Sequence, residues 1–134
     1  MRLDYSKASP GGVKAFGSVY GYIHAVRAGC PSGGYCLDMH TRDLVTKGVS
    51  VGKLALVQVW HEAGALFSER EQAALAWAES VTRVSDTHVP DDTFHAAAAV
   101  FSEKELADLT MAISLMNAFN RLAISFRRPP EVQE

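Results

Sequence analysis

Ser102-Glu-Lys-Glu-Leu-Ala-Asp-Leu109 opens the stretch whose reading decides the fold. A serine followed three residues later by a glutamate is a capping box. The hydroxyl accepts from the first helical turn while the carboxylate reaches back to the serine N–H. Beyond it, Leu106, Leu109, Ile113, Met116 and Ala123 form one apolar stripe at helical spacing. Pro129-Pro130 cannot continue such a run. The spacing predicts a helix over about 103–126, the longest in the chain.

The same grammar repeats outward from this helix. Ser68-Glu-Arg-Glu71 is a second capping box, opening a helix that carries Leu75, Ala78 and Val81 and frays near Ser85-Asp86. Pro90-Asp91-Asp92 suits the first turn of a shorter helix ending near Phe101, since proline lacks no needed N–H there and acids favour the dipole. Upstream, Leu54, Val57, Trp60 and His61 predict a helix over about 51–63 that ends near Gly64. Another runs over about 35–47, stopped by Gly48. A first helix over about 11–27 carries Val13, Phe16, Tyr20 and Ile23, and Gly17 and Gly21 each weaken it by about 1 kcal/mol. Residues 29–34 are a Gly, Pro and Ser loop. No alternating β pattern interrupts this order. The fold class is all-α, about five or six helices, with a single domain over 1–128 and a polar tail over 129–134.

Composition removes several function classes. A chain of 134 residues, 48% hydrophobic and 21% charged, is an ordinary globular domain able to bury about two-thirds of the surface its unfolded chain exposes. Its net charge of −2 offers no strong field for nucleic acid or an anionic membrane. No window approaches the roughly 18 apolar residues of a membrane span. The polar start Met1-Arg-Leu-Asp-Tyr-Ser-Lys7 lacks an apolar signal core, so the expected location is cytoplasmic. Two cysteines in a reducing compartment point to redox or metal chemistry rather than a structural staple.

Both cysteines lie in Cys30-Pro-Ser-Gly-Gly-Tyr-Cys36-Leu-Asp-Met-His40. On a helix, Cys36 and His40 share a face one turn apart, and an imidazole beside a thiol favours the reactive thiolate. Three readings of this cluster stand side by side. In one, Cys36 is a small buried apolar residue and His40 bonds a carbonyl. In another, Cys30, Cys36 and His40 bind zinc with His24 or His61, against the two-to-four-residue spacing that paired zinc ligands prefer. In the third, Cys36 attacks a peroxide oxygen and Cys30 swings in on its glycine-containing loop to form a disulfide.

Gly34-Tyr-Cys-Leu-Asp-Met-His-Thr-Arg-Asp43 closely resembles the active-site helix of the carboxymuconolactone decarboxylase / alkylhydroperoxidase D superfamily. Met1-Arg-Leu-Asp-Tyr-Ser-Lys7 resembles the opening of one subgroup. Val59-Trp60-His-Glu62, Phe67-Ser-Glu-Arg-Glu71 and Ala74-Leu-Ala-Trp-Ala-Glu79 resemble its middle helices. Phe101-Ser-Glu-Lys-Glu-Leu106 and Met116-Asn-Ala-Phe-Asn-Arg-Leu-Ala-Ile124 resemble its last helix. The resemblance implies an all-helical oligomer, a trimer or hexamer, with its active site near a subunit interface. It implies a C-x-x-C-x-x-x-H motif in which Cys36 matches the peroxide-attacking cysteine and His40 the histidine. No cofactor is implied. The expected partners are a hydroperoxide substrate and a dithiol reductant, small molecule or protein, with no nucleic acid and no membrane.

The chain departs from that pattern. Gly33 occupies the position of the first motif cysteine, which makes Cys30 the provisional resolving thiol. The resemblance also implies an acidic residue about a dozen positions upstream that completes a proton relay. It has no match here, since no Asp or Glu lies between Asp4 and Asp38 and, against the family pattern, roughly a dozen residues before the motif are missing. General acid–base help is worth about 10²–10⁴ in rate, so its loss matters. His24 is a substitute relay if the shortened loop folds it over Cys36. The expected function is therefore an alkylhydroperoxidase-like thiol peroxidase. The alternatives are a catalytically impaired helical oligomer or small-molecule-binding protein, and a carboxymuconolactone decarboxylase-type lyase.

Other residues read as structural. Trp60, Trp77, Phe67 and Phe94 suit core or interface packing. Asn117, Asn120 and Arg121 form a polar strip that satisfies buried carbonyls or lines an interface. Glu62 and Glu79 are carboxylates that folding could bring near Cys36, each expected instead to be solvated or paired with an arginine. His61, His88 and His95 stand alone.

Overall fold

The computed structural model of the chain describes residues 41–42, 44–46 and 48–129. The helix expected over 11–27, the loop over 29–34 and most of the helix expected over 35–47 lie outside the described residues, as does 130–134. The described residues are predominantly helical, and no strand occurs among them.

Residues 41–42 and 44–46 are helical and end at Gly48, as predicted. Helix α1 spans Val51–Leu56, and the Ser50 hydroxyl caps it by accepting from Lys53 N at 3.2 Å. The expected helix over 51–63 stops there. Two 3₁₀ segments follow, Val57–Glu62 and Gly64–Leu66. Val59 leaves helical geometry at φ −118°, ψ 34°, and Gly64 takes φ +54°, a conformation that only glycine adopts freely. Val57 and Val59 are β-branched and poorly suited to a tight helix, and the break turns Val57 and Trp60 into the core.

Helix α2 spans Glu69–Thr82, and its capping box forms as read: Glu71 N donates to Ser68 Oγ at 3.3 Å and Ser68 N to Glu71 Oε2 at 2.9 Å. It ends a little earlier than expected, at Arg83, and a single turn, α3 (Val84–Thr87), takes the chain away. His88 and Val89 are left-handed at φ 55° and 51°, and the Thr87 hydroxyl ties this corner to the Ser80 carbonyl at 2.8 Å. Helix α4 spans Asp91–Val100, with Pro90 at its N-cap rather than inside the first turn. Helix α5 spans Glu103–Ser125 with its capping box intact, within a residue of the predicted end.

Helix α2 is the hub, packing on both α4 and α5. Ala74, Ala78 and Ala97 are completely buried, small enough to let helices approach closely, while Phe67, Leu75, Leu109 and Ile113 fill the centre. Of the predicted α5 stripe, Leu106, Leu109, Ile113 and Met116 are buried and Ala123 is half-buried. Polar ties fix the angles. Trp77 Nε1 donates to Thr110 Oγ1 at 2.9 Å across α2 and α5. Arg70 donates to the Val100 carbonyl and to Glu105 Oε1, and its guanidinium lies 4.2 Å from the Phe101 ring centroid. Lys53 donates to both oxygens of Glu71, at 2.7 and 2.8 Å, anchoring α1 to the start of α2. No helix among the described residues is long and apolar enough to cross a membrane.

Candidate functional site

Cys30, Cys36 and His40, the residues singled out for thiol chemistry, lie outside the described residues, as does His24. The structure describes the end of the segment that carries them. Gly48 N donates to the Val45 carbonyl at 2.9 Å and Val49 N to the Leu44 carbonyl at 3.0 Å, with Gly48 at φ +84°. That hydrogen-bond pair around a left-handed glycine is a Schellman termination, which satisfies the last carbonyls of the helix. Leu44 is buried, whereas Val45 and Thr46 are exposed. Leu44 therefore marks the inward side of this helix end, and it stands four residues after His40 and eight after Cys36 in sequence.

The carboxylates weighed for a relay fall into place. Glu62 is exposed. Glu79 is partly buried, with Arg83 Nη1 at 3.8 Å and His61 Nε2 at 3.7 Å, so the expected arginine pairing holds for Glu79. His61 is not isolated: its ring also stacks on Trp60 at 3.7 Å between centroids. His95 packs edge-on to Phe94 at 5.8 Å, and His88 is an exposed corner residue. Among the described residues no three His, Cys, Asp or Glu side chains converge on a common point.

Trp60, Trp77 and Phe67 are core residues as expected, but Phe94 is about half exposed. It walls a cleft of about 870 Å³ between α4 and α5, with Ala98, Leu106, Thr110 and Met111. Its hydroxyls are committed to the backbone: Thr110 Oγ1 donates to the Leu106 carbonyl at 2.7 Å and Ser114 Oγ to the Thr110 carbonyl at 2.9 Å. The cleft thus offers apolar contact and no activated nucleophile.

The polar strip of α5 divides. Arg121 is exposed, whereas Asn117 and Asn120 are buried one turn apart. Asn117 Nδ2 donates to the Thr82 hydroxyl at 3.0 Å, not to a carbonyl. Asn117 Oδ1, Asn120 Nδ2 and Trp60 Nε1 have no hydrogen-bond partner among the described residues. These buried polar atoms were not singled out as functional from sequence, because only tertiary burial distinguishes them from solvated amides.

Known proteins extend this description. The model of the carboxymuconolactone decarboxylase family matches residues 24–80, which include Cys30, Cys36 and His40. A crystal structure from Agrobacterium tumefaciens superposes with a TM-score of 0.79 at 32% identity, covering 98% of this chain and 99% of that one. That protein is described as one of unknown function and a candidate antioxidant defence protein, AhpD. An uncharacterised protein of Bacillus subtilis, YdfG, is 26% identical over 91 residues, 68% of this chain. The chain spans 61% of the length of that curated relative.

Proposed function

Because the chain belongs to the carboxymuconolactone decarboxylase family and has the all-α AhpD-like fold, we propose that it is a thiol peroxidase acting through Cys36. The supporting observation is the register of the helix end. Leu44 is buried above a Schellman termination, and four-residue steps back in the sequence lead from Leu44 to His40 and Cys36. The helix that the sequence predicts over about 35–47 would set the imidazole and the thiol on one face, one turn apart.

The chemistry follows from those two groups. His40 favours the Cys36 thiolate, which attacks one oxygen of a hydroperoxide ROOH. The S–O bond forms as the O–O bond breaks, and the alkoxide leaves as ROH with a proton held by the imidazole. Cys36 becomes a sulfenic acid, oxidised by two electrons. The Cys30 thiol then attacks that sulfur, expelling water and leaving a Cys30–Cys36 disulfide. A dithiol reductant, small molecule or protein, restores both thiols by exchange. The working form is a homo-oligomer, a trimer or hexamer, in the cytoplasm.

A second reading is favoured by the sequence itself. No Asp or Glu lies between Asp4 and Asp38 and Gly33 replaces the first motif cysteine, so a catalytically impaired oligomer kept for assembly or small-molecule binding fits these losses. Hydroperoxide consumption separates the two. The wild type turns over, and Cys36→Ser loses activity by at least about 10²-fold. Equal rates in the two proteins overturn the peroxidase reading.

A further inference from the structure

Helix α5 carries a second apolar stripe that the core does not use. Met111, Leu115, Phe119 and Leu122, continued by Phe126 at the C-cap, are between 38% and 81% exposed. At about 100° per residue they fall within an arc of about 80°, turned away from buried Leu109, Ile113 and Asn120 on the same helix. From their exposures the five leave on the order of 600 Å² uncovered, given about 150–250 Å² for a whole aromatic side chain. That reaches the upper end of the largest apolar patch on a typical monomer, about 300–600 Å². It also approaches the roughly 800 Å² that each partner brings to a standard interface. Phe94, across the adjoining cleft, extends the patch.

The order of the stripe identifies its occupant. Counted from Phe119, the flanking apolar residues lie four and eight positions before and three and seven after. Reversed, the stripe matches itself to within one residue, about 1.5 Å along a helix. Counted from Phe119, Asp108 stands eleven residues before and Arg127 eight after, so in an antiparallel pair these opposite charges come within about three residues, about 4.5 Å of rise, while the two helix dipoles oppose.

We propose that this stripe is a two-fold interface on which α5 of one copy packs antiparallel against α5 of a second. Phe119 lies at the axis, Leu115 faces Leu122 of the other copy, and Met111 faces its Phe126. The proposal gives a surface to the self-association of the proposed function, on which it rests, and is independent of the chemistry at Cys36.

Molecular mass in solution, by light scattering on the full chain, tests it. The wild type is a hexamer, the one of the two expected oligomers that contains two-fold axes, and Phe119→Asp, which sets two carboxylates across the axis, falls to half that mass with its helical circular dichroism retained. An oligomeric wild type whose mass Phe119→Asp leaves unchanged overturns this interface alone. A monomeric wild type overturns the self-association reading as well. A second measurement does not depend on how well that variant folds. Phe119→Cys in a Cys30→Ser, Cys36→Ser background forms a covalent dimer on mild oxidation, because the two thiols meet at the axis. Absence of that dimer overturns the proposal. So does a monomer in which Phe119→Asp only lowers stability, the behaviour of a face covered by the chain's own residues 11–27.

Discussion

Glu71 is buried, yet four donor contacts reach its two oxygens: Lys53 Nζ to both, and the N–H and hydroxyl of Ser68 to one. Burial pushes its carboxyl up, and the Lys53 and Ser68 hydrogen bonds together outweigh it, leaving the group below its ordinary value of 4.5. A depressed native value means the unfolded chain takes up the proton first. The stability Glu71 contributes is therefore fully present above about pH 4.5 and is lost as pH falls below it. We predict that Glu71→Gln costs about 2 kcal/mol in urea unfolding at pH 7 and flattens the acid limb of the stability profile. An unchanged acid limb contradicts this account. The Ser68–Glu71 half of this arrangement was legible because both partners sit within one turn. Lys53 was not, since it lies 18 residues upstream and only the packing of α1 on α2 brings it near. The same holds for Arg70 and Glu105, each readable in its own capping motif and joined only by tertiary structure.

At the scale of elements, α5 was legible almost to the residue because its cap, stripe and stop are all local signals. The stretch over 51–66 was not. Its apolar spacing fits a helix, but β-branched Val57 and Val59 and the left-handed Gly64 break it into 3₁₀ turns that bury Val57 and Trp60. Periodicity reports which side chains go inward and says less about how tightly the backbone winds. Gly48 tests the opposite case, where a local signal suffices. Its φ of +84° is unfavourable for any side chain, while a Cβ there would meet nothing within 4 Å. Gly48→Ala should therefore cost about 1 kcal/mol from backbone conformation alone, with no change in the urea m-value. A neutral substitution would show that this helix end is not held in the left-handed form.

For the whole molecule, the order of capped helices announced an all-α chain, and the resemblance of separate segments in the right order announced its family. The candidate site was legible in another way. Cys36 and His40 stand out by spacing, which left three readings open, and the roles proposed for them as nucleophile and proton partner follow the family motif. Of the partners of Glu79, Arg83 was legible because it lies one helical turn on, while His61 was not, because it reaches Glu79 only through the fold. The exposed stripe of α5 was hidden for a related reason: a helix with two apolar sides looks in sequence like one with a broad core face. What remains central is whether Cys36 is an activated thiolate without the upstream carboxylate. The most direct measurement is the rate of Cys36 alkylation against pH in a Cys30→Ser protein, with and without His40→Ala. The account predicts a thiol pKa below about 7.5 that rises when His40 is removed. A value near 8.5 in both proteins would contradict it.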